Sequence, residues 1–291
     1  MTPHDVLVFN RFLLDTGLAT VWGGGGLVLL VEGRVKQSLI MSMRLPLAVA
    51  GLLSAAAAAT ALPVQTAAIA SNWSALERLD LMAIVALHTN VGISLVLQAM
   101  TSVGLFIAVF KKLHQVGVGL AGLAICELAS RGHPAGSSDG AAFLRMGVDA
   151  IHALSATAWV GALFPFVLLL RLSQVQDLRR DVITSMKRFS RLGHIAVAVV
   201  LASGIANTFF ILGRLPLNLE EDYQRKLLIK IGVAVAMTFI AIANRYLILP
   251  FNRTHPTASR RALTAGAALE VALGLLAFAL VSSFGLDDPT T

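Results

Sequence analysis

Residues 149–170 read DAIHALSATAWVGALFPFVLLL, and beyond Asp149 and His152 no ionisable side chain appears until Arg171. At a helical rise of 1.5 Å per residue, such a run is about 33 Å long, enough to cross the ~30 Å hydrocarbon layer of a bilayer. Phe164–Leu170 inside it is entirely apolar, as are Ile195–Ile205, Ile231–Ala243 and Val271–Val281, apart from a few small polar residues. A water-soluble core rarely needs so many uninterrupted runs. The chain therefore reads as an all-α, polytopic membrane helical bundle.

The composition agrees. Of 291 residues, 56% are hydrophobic and 13% charged, against roughly a quarter charged in a soluble domain. Spans are expected at about 6–30, 46–70, 88–110, 113–131, 147–170, 192–213, 227–249 and 263–285, giving about eight transmembrane helices in one transmembrane domain over 1–291. Between the second and third, SNWSALERLDLMAIVAL begins too polar to span and reads as an interfacial helix with Trp73 at the headgroup level. The longest loop expected runs from Arg171 to Arg191. The start, MTPHDVLVFNRF, lacks a basic n-region and small-residue cleavage site, so the first apolar segment reads as a retained helix.

The net charge of +7 comes from short basic clusters between apolar runs. That pattern determines topology and does not suit nucleic-acid binding. Fifteen Lys and Arg fall on one side of the expected spans, around Arg34, Lys111, Arg171–Arg191 and Arg245–Arg261, and eight on the other. Basic residues accumulate in the cytoplasm, so both termini are expected outside. The single Cys126 excludes an internal disulfide framework. Gly23-Gly24-Gly25-Gly26, inside the first span, reads foremost as a close helix-packing surface, with a local helix break as the minority reading.

Ionisable groups at membrane depth are costly and face a partner, the bundle interior or a water path. They are Asp15, His88, Glu127, Asp149, His152, His194, Lys230 and Glu270, with Asp15, His152 and Glu270 expected deepest. Asp149 and His152 are three apart and share a helix face with Trp159. Imidazole with carboxylate suits a borderline divalent metal such as Cu(II) or Zn(II), or equally a hydrogen-bonded pair that fixes one tautomer. His133, in the loop SRGHPAGSSDG, and His88, at the outer end of the third span, fall on the same side. His133, Asp149, His152 and His88 are thus the candidate metal ligands. His194 reads foremost as interfacial, with an exit ligand as the other reading. Asn207 and Glu270 each need a partner, and Asn244 or Arg245 is the candidate for Glu270. The methionines read as packing residues. No nucleophile–base pair or phosphate loop points to an enzyme.

DAIHALSATAWVGALFPFVLLL resembles the H-x-x-H-x-x-x-x-x-x-W-x-G-G-L segment of CopD/PcoD-type copper-resistance proteins of the bacterial inner membrane. RFSRLGHIAVAVVLASGIANTFFILG, LLIKIGVAVAMTFIAIANRYLILP and Ala268-Leu269-Glu270 follow that family's later motifs in order, and GHPAG resembles its GHA. The resemblance covers about residues 125–285 closely and the first half by hydropathy. It implies eight transmembrane helices, movement of copper across the inner membrane and a CopC-like periplasmic copper carrier as partner, with the direction of transport left open. Two positions depart from the pattern: Asp149 replaces the first histidine of H-x-x-H, and Leu14 replaces a first-helix histidine. The first departure shifts the preference toward Cu(II) over Cu(I). Two other readings stand beside copper transport: a haem-binding redox protein using His88 and His152 as axial ligands, and a non-transporting assembly or interaction protein.

Overall fold

A computed structural model describes residues 1–129, 140–213, 216, 218, 220–251 and 254–284. Every regular element among them is helical: α1 (Pro3–Leu30), α2 (Arg34–Ile69), α3 (Leu79–His88), α4 (Asn90–Phe110), α5 (His114–Ala129), α6 (Gly140–Leu172), α7 (Arg179–Leu212), α8 (Asp222–Phe251) and α9 (Pro256–Phe284). Seven of these are long and apolar enough to cross a membrane. α5, the fourth expected span, is a 16-residue helix over the described residues, or about 24 Å of the ~30 Å hydrocarbon layer. α3 is the expected short helix between spans. It follows a 3-10 turn at Trp73–Glu77, and the half-exposed Trp73 indole donates to the Met1 carbonyl at 3.3 Å.

α1 is the central element. Its membrane window is 61% buried, against 11%, 17% and 22% for α7, α8 and α9. It starts from a reciprocal cap in which the Thr2 hydroxyl accepts from Asp5 N and the Asp5 carboxylate accepts from Thr2 N, with Pro3 as the first helical residue. It then packs on α2, α5, α6 and α9. The tetraglycine run packs as the foremost reading expected, and the helix is not broken there. Thr20–Gly25 form a π-helical turn, a local widening of the helix, and the glycines also set the helix spacing. A Cβ on Gly23 would meet the Thr157 and Ala158 carbonyl oxygens of α6 at 2.6 Å, and one on Gly161 of α6 would run into the Ala19 carbonyl. Trp22 then reaches across and donates its indole N–H to the Leu154 carbonyl at 2.9 Å. In lipid, where apolar side chains gain little by leaving the solvent, this close backbone approach is what holds helices together.

Two helices run well past the expected spans. α2 begins at Arg34 and α7 at Arg179, so most of the expected Arg171–Arg191 loop is helix. The basic residues that signal a membrane boundary are also good helix formers, and the helices continue through the interface into water. α7 clamps the α1–α2 turn there. Arg188 donates to the Leu30 carbonyl at 3.0 Å and pairs with Glu32 at 2.7 Å, which holds the Glu32 carboxyl below the usual carboxylate range. Asp181 accepts from Arg34 N at 2.8 Å and lies where a Cβ of Gly33 would be, and Gly33 has φ +78°. Only glycine fits that turn without strain.

The α1–α6 seam gives a direct expectation. Gly161→Val forces the two backbones apart and should destabilise the protein by roughly 2–3 kcal/mol or more, as overpacked cores do. Gly119→Ala, at a position where a Cβ meets nothing within 4 Å, should leave thermal unfolding in detergent unchanged or slightly improved. Equal midpoints for the two variants would remove the seam from its central role.

Candidate functional site

Four helices bring polar side chains together in the half of the bundle nearer the N-terminus. Counting 1.5 Å per residue from the helix ends, Asp15, His152, Ser203 and Lys230 lie ~12–18 Å deep. Arg11 and Asp15, one turn apart on α1, pair at 3.1 Å, with Asp15 only 7% exposed. Asp149 of α6 accepts from the Asn207 amide of α7 at 3.0 Å, which provides the partner Asn207 was expected to need. Tyr223 and Lys230, two turns apart on one face of α8, both sit in the field of Asp149, and Lys230 also feels Asp15, Arg11 and His152. Two carboxylates thus face two cations around one imidazole, a balance that makes ionised groups tolerable away from water.

The ring orientation of His152 follows from its neighbours. Nδ1 lies 3.2 Å from the Val200 carbonyl and 3.0 Å from Ser203 Oγ. A carbonyl only accepts. Ser203 spends its own proton on the Val199 carbonyl at 2.5 Å, so its oxygen accepts as well. Nδ1 must therefore carry the hydrogen, which leaves the Nε2 lone pair available. Among the described residues nothing hydrogen-bonds Nε2. The Ala202-Ser203-Gly204 motif builds this arrangement: Ser203 anchors the ring, and a Cβ on Gly204 would touch its Cε1 at 3.2 Å. An imidazole held through Nδ1 with Nε2 presented is the usual arrangement of a metal-ligating histidine.

The other expected ligands are placed as follows. His133 lies outside the described residues. Asp149 is on the His152 helix, one turn earlier, and partly buried. His88 ends α3, is exposed, and sits on a helix that packs against α2 and α4. Among the described residues no group of three or more His, Cys, Asp or Glu is placed to hold a metal ion. His194, near the middle of α7, is exposed and bonded to the Ser190 carbonyl and the Tyr246 hydroxyl. Of the three groups expected deepest, Asp15 and Glu270 are buried, at 7% and 3% exposure, and His152 is partly buried. Arg11 and Ser203 were not singled out from sequence. Arg11 was legible as the i–4 neighbour of a buried aspartate, whereas Ser203 reads like any small residue of a packed helix.

The comparisons with known proteins now bear on this geometry. A family model described as copper resistance protein D matches residues 183–284. A second, the copper resistance protein D-like N-terminal domain, matches residues 1–144, so the first half carries the family signal as well. Copper resistance protein D of Pseudomonas syringae pv. tomato is 30% identical over 178 residues, covering 58% of this chain and 57% of that protein. Inner membrane protein YebZ of Escherichia coli (strain K12) is 32% identical over 162 residues, covering 56% and 55%. Copper transport protein CutJ of Bacillus subtilis (strain 168) is 33% identical over 107 residues, covering 37% of this chain and 20% of that protein. The chain thus spans just over half the length of the first two relatives. No solved structure matches it. With both halves matched by models of one family, and one relative bearing that family's name, the chain belongs to the CopD-type copper-resistance membrane protein family.

Proposed function

We propose that this protein binds and transports copper in the bacterial inner membrane, taking the ion from the periplasmic face as one transmembrane domain over residues 1–291. The observation that carries the reading is the His152 imidazole, fixed through Nδ1 by Ser203 and the Val200 carbonyl, with Nε2 presented and Asp149 one turn away. Copper is the substrate, and imidazole with carboxylate favours Cu(II) over Cu(I). The relatives named for copper resistance and copper transport support the choice of metal, and the YebZ relative supports the inner membrane. His133, shortly before α6 in the sequence, is proposed as a further donor, and His88 contributes at the exposed outer end of α3. A CopC-like periplasmic copper carrier is the partner implied by the family resemblance, and lipid surrounds the rest.

Orientation follows the basic residues. The α1–α2 turn and the start of α7 meet on one face, through Arg188–Glu32 and Asp181–Arg34, and that face carries the larger share of Lys and Arg. The Met1 carbonyl and Trp73 meet on the other. With the basic face cytoplasmic, both termini and the His152 half of the bundle are periplasmic.

Two experiments test this. Purified His152→Ala should lose copper to background, and Ser203→Ala should weaken binding roughly tenfold or more by freeing the ring, while His194→Ala keeps wild-type copper content. Copper retained by a folded His152→Ala protein would sink the site. Separately, a reporter active only in the periplasm should work when fused to the C-terminus and fail when inserted at Val175. The reverse result overturns the orientation.

A further inference from the structure

Away from the His152 cluster, the interface between α8 and α9 holds a second buried acid. Glu270 of α9 is 3% exposed, and its Oε2 accepts from the Asn244 amide of α8 at 3.1 Å. The Trp159 indole of α6 faces the same carboxyl group. Two oxygens in this pair are buried without a hydrogen-bond partner: Glu270 Oε1 and Asn244 Oδ1. The site is built for the contact. Asn244 opens a π-helical turn, Asn244–Ile248, and Ser259 donates to the Ile248 carbonyl at 2.7 Å. Gly266, one turn before Glu270, leaves space that any Cβ would take from the Asn244 side chain.

We propose that Glu270 and Asn244 form a proton-binding site within the membrane, in which Glu270 is a neutral carboxylic acid that donates its O–H from Oε1 to Asn244 Oδ1. One proton then satisfies both orphaned oxygens and closes a two-bond acid–amide ring, with Nδ2–H donating to Oε2 and Oε1–H donating to Oδ1. Reversing the amide does not remove the requirement, because an amide oxygen turned toward a carboxylate also needs a hydrogen between them. An ionised carboxylate here would lack a counter-charge. Among the described residues no ion pair reaches Glu270: Arg11 is engaged with Asp15, Lys230 lies in the field of Asp149 and Asp15, and Arg245, next to Asn244, does not pair with it. Burying a lone charge costs far more than binding a proton. The site is separate from His152, although α8 contributes to both.

Infrared spectroscopy of the purified protein decides the matter. At neutral pH the wild type should show the carbonyl stretch of a protonated, hydrogen-bonded carboxylic acid. That band should vanish in Glu270→Gln and move to the position of a free acid in Asn244→Ala. Glu270→Gln, a neutral isostere of the protonated acid, should unfold at the wild-type temperature and keep its copper, while Glu270→Ala unfolds earlier. If neither variant alters an acid band at neutral pH, Glu270 is ionised and the proposal fails. It fails too if Glu270→Gln is as unstable as Glu270→Ala. Should Glu270→Gln not fold, the band shift in Asn244→Ala decides alone. Loss of copper from a stable Glu270→Gln protein would tie the carboxyl to the metal and overturn its assignment as a proton site.

Discussion

The bundle depends on one constraint, the approach of the α1 and α6 backbones through residues without side chains. Gly23 faces the carbonyls of Thr157 and Ala158, and Gly161 faces that of Ala19. In a lipid solvent, burying leucine gains little, so tight backbone packing and cross-helix hydrogen bonds must supply the order. The Trp22 bond to Leu154 fixes the rotation of α6 about its axis. Three residues from Leu154 along the chain toward the N-terminus comes Ile151, and His152 and Asp149 lie on the turns next to it. The seam that centres α1 in the protein therefore also sets the depth and facing of the candidate ligands.

The hydrogen-bond requirement of the membrane interior accounts for most of the rest. Four of the polar side chains expected at depth are each met by a specific partner: Asp15 by Arg11, Asp149 by Asn207, His152 by Ser203, Glu270 by Asn244. Several Ser and Thr hydroxyls of the spans return to carbonyls one turn back, as with Ser54 to Ala50 and Ser282 to Phe278. Hydroxyls satisfied in this way need no second helix. The carboxylates, amides and imidazole do need one, and they tie α7 to α6 and α9 to α8, the helices with the least buried surface. Polar contacts thus orient the periphery, and small-residue contacts order the centre.

How much of this was legible follows from which signals are local. Helix number and type came from hydropathy because a span must be about as long as the bilayer is thick, and that length is written in consecutive residues. Helix ends were not legible for α2 and α7. Arg34–Arg44 and Arg179–Arg191 read as loops by charge, yet an interfacial helix keeps its hydrogen bonds when it leaves the hydrocarbon. That Glu270 and Asn207 needed partners was legible from cost alone, and Asn244 was named because its span neighbours that of Glu270. The Asn207–Asp149 pair and the Ser203 anchor were not, since they depend on how α6 and α7 rotate against each other. The i,i+3 spacing of Asp149 and His152 could not distinguish a ligand from an orienting pair. Only the hydrogen bonds of Ser203 assign the proton to Nδ1 and settle which nitrogen is presented.

In the proposed copper site, the neighbourhood of Lys230 constrains what His152 and Asp149 can do. An ammonium in the field of both groups balances Asp149 when no metal is present and opposes a second cation when one arrives. A storage site would exclude such a competitor and surround the ion with three or four donors. A site on a path across the membrane has the opposite requirement, because an ion must be attracted strongly enough to enter and held weakly enough to leave. Two donors on one helix face, one of them already shared with an amide and an ammonium, fit that requirement. Charge balance would then pass between Lys230 and the ion, so that the cluster never carries an uncompensated aspartate in the hydrocarbon. The two acids differ in their surroundings. Asp149 has the Asn207 amide and the Lys230 side chain about it, whereas Glu270 has the Asn244 amide and the Trp159 indole.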